Sequence, residues 1–499
     1  MVQLTDSGEL LDAVSVFDVR NPRTGSVVGR YPVLQAEQVR ASVHRARSAA
    51  EWWQGLGFDG RRRRLDAFRG LIARRIDELV SVVHQEMGKP KSDAYLEVAL
   101  VLDHLAWAGK QAPKVLGRQR TRTGILNANL RASVNYRPLG VVGVIGPWNY
   151  PVFTPMGSIA YALAAGNTVV FKPSEYTPGV GEWLVQAFRQ VVPEAPVLEL
   201  VTGDGSTGAA LCRAGVDKVA FTGSTATAKR VMEVCAETLT PVVAECGGKD
   251  ALLVDEDADL EAAADAAAWG GLANAGQSCT GIERVYVHAR VYDEFSSLLA
   301  QRVDNLRAGA DVEAPIGPVT MASQVALIRR HVTDALAQGG RVLAGDVDFA
   351  GQIVQPVLLV DVPEEAEAVR EETFGPTMTM RRVRDMDEAI SLANASSYAL
   401  AGSVFSRRNG TVLADRLRAG MVAVNSVFTF GLVPAVPFGG TGDSGFGRIH
   451  GADGLREFCY AHAVVRQRFR PPLALMTFQR TPRAERWLAR IVVLVHGRA

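Results

Sequence analysis

Cysteine is scarce: five residues in 499 (Cys212, Cys235, Cys246, Cys279 and Cys459), an odd number without metal-ligand spacing. That pattern gives neither a disulfide framework nor a metal site, so reduced thiols and no metal are expected. An excess of one charge is also missing, with 54 Lys and Arg against 53 Asp and Glu. A nucleic-acid binder must neutralise several phosphates, and the chain as a whole lacks that footprint. No run of 18 apolar residues occurs, so no spanning helix is predicted. The opening MVQLTDSGELLDAVSVFDV has no basic stretch leading into an apolar one, so no secretory leader is expected and a cytoplasmic location is the default.

What is present is an ordinary globular composition, 47% hydrophobic and 21% charged, at a length that implies several structural units. From about Ala36 to Lys110 apolar residues return every three or four positions, which predicts helices. The run Arg61 to Arg64 at the head of one of them reads as a solvated face rather than a binding patch. After residue 138 short Val-rich runs bounded by Gly, Pro or Asp follow one another: LGVVGVIGP, GNTVVFKP, PVLELVTG, VDKVAFTG and DALLVDED. They are separated by helical stretches, the mark of parallel strands with crossover helices. A second series after Cys279 includes ERVYVHA, GQIVQPVLLV and GMVAVN. The segment from Arg118 to Arg137 alternates about a polar break and predicts a β-hairpin apart from both sheets. The expected fold is α/β, with two Rossmann-like open-sheet domains and a protruding β-hairpin that serves as an oligomerisation element.

Three side chains carry the chemistry. In NAGQSCT, Cys279 follows the end of a helical stretch, where a thiol can act as a nucleophile; by itself a free cysteine is more often inert packing. In VVAECGGKD, Glu245 ends an apolar run before a glycine pair. Desolvation there raises a carboxyl pKa toward neutrality, fitting it as a general base, although a lone strand-end glutamate is more often salt-bridged. In GPWNYP, Asn149 offers an amide donor to a developing oxyanion, although such an asparagine commonly only organises a turn. The stretch GDGSTG (Gly203 to Gly208) has the G-x-G-x-x-G form after a strand, but no acidic residue ends the next strand, so it is not read as the usual pyrophosphate turn.

PWNYP, FKPSE, FTGS, ECGGK, GQSC, EETFGP and PFGG stand here in the order found in the aldehyde dehydrogenase superfamily. The chain resembles that family from Asn21 to Phe458, and the separation of 34 positions from Glu245 to Cys279 resembles its spacing. The resemblance implies attack of the Cys279 thiolate on an aldehyde, an oxyanion held by Asn149 and the Cys279 N–H, and a thioester hydrolysed by water that Glu245 deprotonates. It also implies a cofactor cleft. Lys172 and Glu175 would hold the adenosine ribose, Ser224 at a helix N-terminus would meet the pyrophosphate with Phe221 and Gly223 of the same motif, and Gly205 would lie near the adenine. Trp148 would pack near the cofactor, while Glu372 and Phe374 would grip the nicotinamide ribose and back its ring. A carboxylate at the ribose repels a 2′-phosphate, so NAD is expected, with NADP as the alternative.

Pocket walls are sought among Tyr150, Phe153, Val427, Phe428, Phe430 and Phe438, an apolar set suited to aliphatic or aromatic aldehydes. Relatives acting on succinate semialdehyde often carry an arginine shortly after PWN(F/Y)P, and VFTPMGSI has none. GFGRIHG has the G-R-x-H-G form of the branch with fatty and aromatic aldehyde enzymes, with Ile449 where others carry a glutamate. Cys246 beside the base, where the family usually has leucine, reads as a small apolar replacement, with pairing to oxidised Cys279 as the sharper alternative. The tail after Phe469 interleaves arginines with Trp and aliphatic residues. It reads as a terminal helix docked on its own subunit or a partner, or as an amphipathic helix making peripheral membrane contact. The expected domains are 1–118 with 138–246 (NAD-binding), 247–457 (catalytic), 119–137 with 458–470 (oligomerisation) and 471–499 (tail), in a homodimer or homotetramer. The rival readings are a semialdehyde dehydrogenase, an acyl-transferring dehydrogenase that uses coenzyme A, and a catalytically silent relative.

Overall fold

The computed structural model describes residues 15–124, 127–470 and 476–497; most of the N-terminal stretch read for a leader and part of the tail lie outside them. The fold is mixed α/β, and the described residues fall into two compact units. One holds the residues up to Val115 together with Pro138–Cys459; the other holds Leu116–Arg137 and the residues from Tyr460 onward.

The first unit contains two open sheets. In the six-stranded sheet the order is Gly445–Phe446, Val242–Glu245, Lys218–Thr222, Val141–Ile145, Thr168–Lys172 and Leu198–Leu200. All neighbours are parallel except Gly445–Phe446, which runs antiparallel to Val242–Glu245. These strands are Val-rich because both faces are covered. Val141, Val170 and Val219 pack with Leu211, Val231 and Cys246 in one buried cluster. The N-terminal helices close over this part of the chain, with Trp53 fully buried against Phe188 and its indole N–H donating to the Leu163 carbonyl at 3.0 Å.

The seven-stranded sheet has the order Arg341–Gly345, Val357–Val360, Thr377–Val383, Ile282–His288, Asp250–Val254, Ala401–Phe405 and Met421–Val424. Only Arg341–Gly345 is antiparallel to its neighbour. Three sequence expectations change here. DALLVDED, grouped with the first series, joins the second sheet between Ile282–His288 and Ala401–Phe405. GQIVQPVLLV is two strands, Ile353–Val354 and Val357–Val360, because Pro356 has no N–H for the ladder. Arg61 is buried rather than solvated: its guanidinium donates to the carbonyls of Ala164 and Gln54, and burial lowers its pKa to about 10.

In the second unit, strands Gln119–Thr121 and Leu130–Pro138 pair antiparallel as the hairpin foresaw, and Cys459–Gln467 adds a third strand beside Leu130–Pro138. The tail forms a helix, Pro482–His496, capped by Thr481, whose hydroxyl accepts from the Ala484 N–H.

Candidate active site

Four neighbouring parallel strands of the six-stranded sheet end at one rim. Val141–Ile145 runs into Gly146–Tyr150, Thr168–Lys172 ends on Lys172, Lys218–Thr222 leads to Gly223 and Ser224, and Val242–Glu245 ends on Glu245. The chain leaves Val141–Ile145 toward one edge through Thr168–Lys172 and returns on the other side with Lys218–Thr222. That reversal opens a crevice at the carboxyl ends of the strands, the usual ligand position in open α/β sheets. A cleft of about 700 Å³ lies there, and Trp148, Asn149, Lys172, Glu175, Gly205, Phe221, Gly223, Ser224, Glu245, Cys279, Glu372 and Phe374 all line it.

Cys279 reaches this cleft on the loop between helix Leu260–Leu272 and strand Ile282–His288. The loop turns through three successive left-handed residues, Asn274, Ala275 and Gly276, with φ of 54°, 55° and 69°. Gly276 is required twice over, since a Cβ there would lie 1.9 Å from the carbonyl oxygen of Gly375. This contact presses the cysteine loop against the EETFGP loop. The turn is held by hydrogen bonds: Asn274 Nδ2 donates to the carbonyls of Asn149 (3.1 Å) and Gln277 (3.2 Å), and Gln277 Nε2 donates to the Asn274 carbonyl at 2.8 Å. The Asn149 amide donates to the Gln277 carbonyl at 3.0 Å. One of its two N–H groups is thereby used and the other remains available.

Glu245 is 3% exposed, and neither carboxylate oxygen makes a hydrogen bond of ordinary geometry. Burial pushes its pKa up to about 7, while the Cys279 thiol and the Thr222 hydroxyl that face it hold the value from rising further. The Cys279 thiol is raised well above its usual range, first by burial and then by the Glu245 charge. The resting state at neutral pH is therefore a thiol facing a carboxyl group in mid-titration. Glu372, likewise buried and raised to about 8, accepts from the Gly248 N–H at 3.0 Å. A Cβ on Gly247 would stand 2.2 Å from the Glu372 carboxylate oxygens, so a side chain there would displace that carboxylate.

On the outer side Lys172, nearly buried, has its ammonium 3.6 Å from the Glu175 carboxylate, and burial lowers its pKa against that attraction. Ser224 caps helix Thr225–Ala236, its hydroxyl accepting from the Thr227 N–H at 3.3 Å. The indole of Trp148 meets the Phe374 ring edge-on at 5.6 Å. Cys246 packs with Cys212 and Cys235 in the hydrophobic cluster of the six-stranded sheet, and burial raises its pKa to about 12.

None of the six wall candidates lines the cleft. Phe153, Phe430 and Phe438 gather with His450, with Phe153 and Phe438 ring centroids 5.4 and 5.3 Å from the imidazole. Phe428 turns to Trp269 at 5.3 Å, and Val427 packs over Gly270. Tyr150 lies beneath the Lys89 ammonium, 3.9 Å from the ring centroid.

That lysine belongs to a support the sequence reading missed. Lys89 pairs with Glu97 at 2.5 Å, both side chains fully buried, and the other Glu97 oxygen accepts from the N–H groups of Val152 (2.8 Å) and Phe153 (3.0 Å). A carboxylate thus caps helix Phe153–Ala165 and fixes the loop that carries Asn149. A second buried pair, Lys249 with Glu283, joins the loop after Glu245 to the EETFGP loop, since Glu283 accepts from the N–H groups of Thr373 (2.9 Å) and Phe374 (3.0 Å).

The family model described as "Aldehyde dehydrogenase family" matches residues 11–464. Among curated proteins, 4,4'-diapolycopene aldehyde oxidase of Methylomonas sp is 37% identical over 91% of this chain and 86% of its own length. Succinate-semialdehyde dehydrogenase [NADP(+)] GabD of Escherichia coli is 34% identical over 91% of this chain and 95% of its own. Among solved structures, lactaldehyde dehydrogenase from Escherichia coli superposes with a TM-score of 0.86 at 31% identity, covering 91% of this chain and 96% of that one. PnpE in complex with nicotinamide adenine dinucleotide gives 0.87 at 32%, covering 93% and 96%.

Proposed function

The chain belongs to the aldehyde dehydrogenase family, and from that premise we propose that it oxidises an apolar aliphatic or aromatic aldehyde to the acid through a thioester on Cys279. The observation that carries this reading is the buried Glu245 carboxylate, without a hydrogen-bond partner of ordinary geometry, facing the Cys279 thiol.

Glu245 takes the thiol proton as the sulfur attacks the aldehyde carbon, so a raised thiol pKa is no obstacle. The free N–H of Asn149 and the Cys279 backbone N–H donate to the oxyanion, and the hydrogen bond from Asn149 to Gln277 fixes the amide before charge develops. Bound NAD or NADP supplies the hydride acceptor. The residues of the cleft suit such a group: a cation and a carboxylate at its outer end, the N-terminus of a twelve-residue helix at Ser224, and aromatic rings at Trp148 and Phe374. Glu175 favours NAD over NADP. After passing the thiol proton to bulk water, Glu245 deprotonates the water that releases the acid, and its raised pKa suits that step at neutral pH.

A second reading, a semialdehyde dehydrogenase, draws on the similarity to the Escherichia coli succinate-semialdehyde enzyme. The absence of an arginine in VFTPMGSI favours the apolar substrate, because a substrate carboxylate would lack a bidentate partner. Glu245 speaks against transfer of the acyl group to coenzyme A, and Cys279, Glu245 and Asn149 together speak against a silent relative. The domain reading assigns 1–118 with 138–246 to cofactor binding and 247–457 to the cysteine. The hairpin with Cys459–Gln467 would mediate a homodimer or homotetramer in the cytoplasm, and the tail would make peripheral membrane contact.

The test is cofactor reduction followed by absorbance with straight-chain, aromatic and semialdehyde substrates, for wild type and Cys279→Ala. Turnover that rises with apolar chain length and vanishes in the variant supports the proposal. Preference for succinate semialdehyde selects the second reading, and no signal across the panel selects the silent relative.

A further inference from the structure

The charge of this protein is near zero only as a sum. From Arg466 to the end there are eight arginines and a single acidic residue, Glu485, while the preceding 465 residues carry 46 basic against 52 acidic side chains. A tail of strongly positive charge is joined to a body of negative charge, a separation that balanced totals conceal.

Helix Pro482–His496 sorts these charges by face. At about 100° per residue, Trp487, Leu488, Ile491, Val492, Leu494 and Val495 fall within an arc of roughly 160°. Arg483, Arg486 and Arg490, at positions i, i+3 and i+7, form a stripe about 60° wide that borders this arc on its Trp487 and Leu494 side, with the Arg490 guanidinium 5.9 Å from the Trp487 ring, and Val493 falls outside the arc. No residue of this helix is buried, and Val493 and Leu494 are 67% and 70% exposed. Just ahead of it Met476 and Phe478 are fully exposed. Arg480, Arg483, Arg486 and Arg490 form no ion pair with another described residue. Among the described residues no helix is long and apolar enough to cross a membrane, and fifteen residues make only roughly 22 Å of helix.

We propose that this helix lies in the plane of an anionic lipid surface, with the face from Trp487 to Val495 in the acyl boundary and the arginine stripe among the headgroup phosphates. The inference deepens the tail part of the proposed function and is independent of the chemistry at Cys279. Two features select a lipid surface. Adjacent aliphatic residues joined to a tryptophan suit the headgroup boundary, and net positive charge draws the helix to anionic lipid and away from the like-charged tail of a second copy. A nucleic acid would use the arginines and leave the apolar face in water.

Flotation of the full chain with vesicles of phosphatidylcholine alone, or with one third phosphatidylglycerol, reads the partition. Binding to the anionic vesicles is expected, with a weaker association in high salt. Replacing Arg483, Arg486 and Arg490 together by Gln is expected to lower the partition coefficient roughly 100-fold. Ile491→Asp with Leu494→Asp is expected to abolish binding. Aldehyde oxidation in solution by these variants serves as the folding control and is expected to be unchanged. Equal binding to both vesicle types, or an undiminished triple variant, overturns the proposal. So does a change of oligomeric state in the aspartate variant without vesicle binding, which would assign the face to a second copy, or binding of duplex DNA in place of vesicles. Vesicle binding by a chain that oxidises no aldehyde would leave this inference standing and remove the catalytic reading.

Discussion

The Glu245 carboxylate and the Cys279 thiol face one another from a strand end and a loop 34 residues apart in sequence; the carboxylate makes the thiol harder to ionise, while the thiol's hydrogen bond tempers the rise that burial imposes on the carboxyl. Glu245 is raised to about 7, so the fraction able to accept a proton grows as pH climbs through that value. Turnover should rise about tenfold per pH unit below 7 and level off above it. Glu245→Gln should lose this limb together with about 10²–10⁴ of the rate. Initial rates between pH 5.5 and 9 check both expectations.

The same titration predicts an opposite effect on stability. A carboxyl whose pKa is raised by folding favours the fold while protonated, and that contribution is lost as pH climbs from the unfolded value near 4.5 through about 7. Glu245→Gln, which cannot ionise, should therefore melt above wild type at pH 8 and close to it at pH 5. Thermal unfolding at the two pH values measures the difference.

Asn149→Ala removes an oxyanion donor and the bond to the Gln277 carbonyl. A fall of about 10²–10³ in kcat, with a smaller change in KM, is expected for a group that acts mainly on the transition state. Steady-state kinetics on a good aldehyde substrate separates the two.

Lys249→Met leaves Glu283 charged, buried and deprived of its ammonium partner. Breaking a pair of this kind costs about 3–5 kcal/mol, and the EETFGP loop should loosen because Glu283 also holds the N–H groups of Thr373 and Phe374. Denaturant unfolding and cofactor affinity should decline together; loss of one alone would contradict the coupling.

The rim of the cleft was legible because each functional segment follows a Val-rich run closed by Gly, Pro or Glu, and such runs announce parallel strands wherever they later pair. Sheet membership was not. DALLVDED resembles its predecessors and only three-dimensional pairing places it beside Ile282–His288. The buried pairs were invisible for a related reason. Lys89 and Glu97 stand eight positions apart in a helical, charged-looking stretch, and nothing local says that both are fully buried against Tyr150 and the start of the next helix. The same holds for Arg61, whose neighbours Arg62 and Arg63 are exposed. Wall candidates chosen by apolar character alone scattered between His450, Trp269 and Gly270, since an aromatic side chain packs wherever shape allows.

The most direct test of the account is the mass of the protein quenched during turnover. With aldehyde and NAD, the wild-type chain should carry an adduct equal to the aldehyde less two hydrogen atoms on the peptide that contains Cys279, Glu245→Gln should both form and release that adduct more slowly, and Cys279→Ala should form none. Absence of that adduct, or its appearance on Cys246 with Cys279 unmodified, would contradict the thioester on which the proposed chemistry rests.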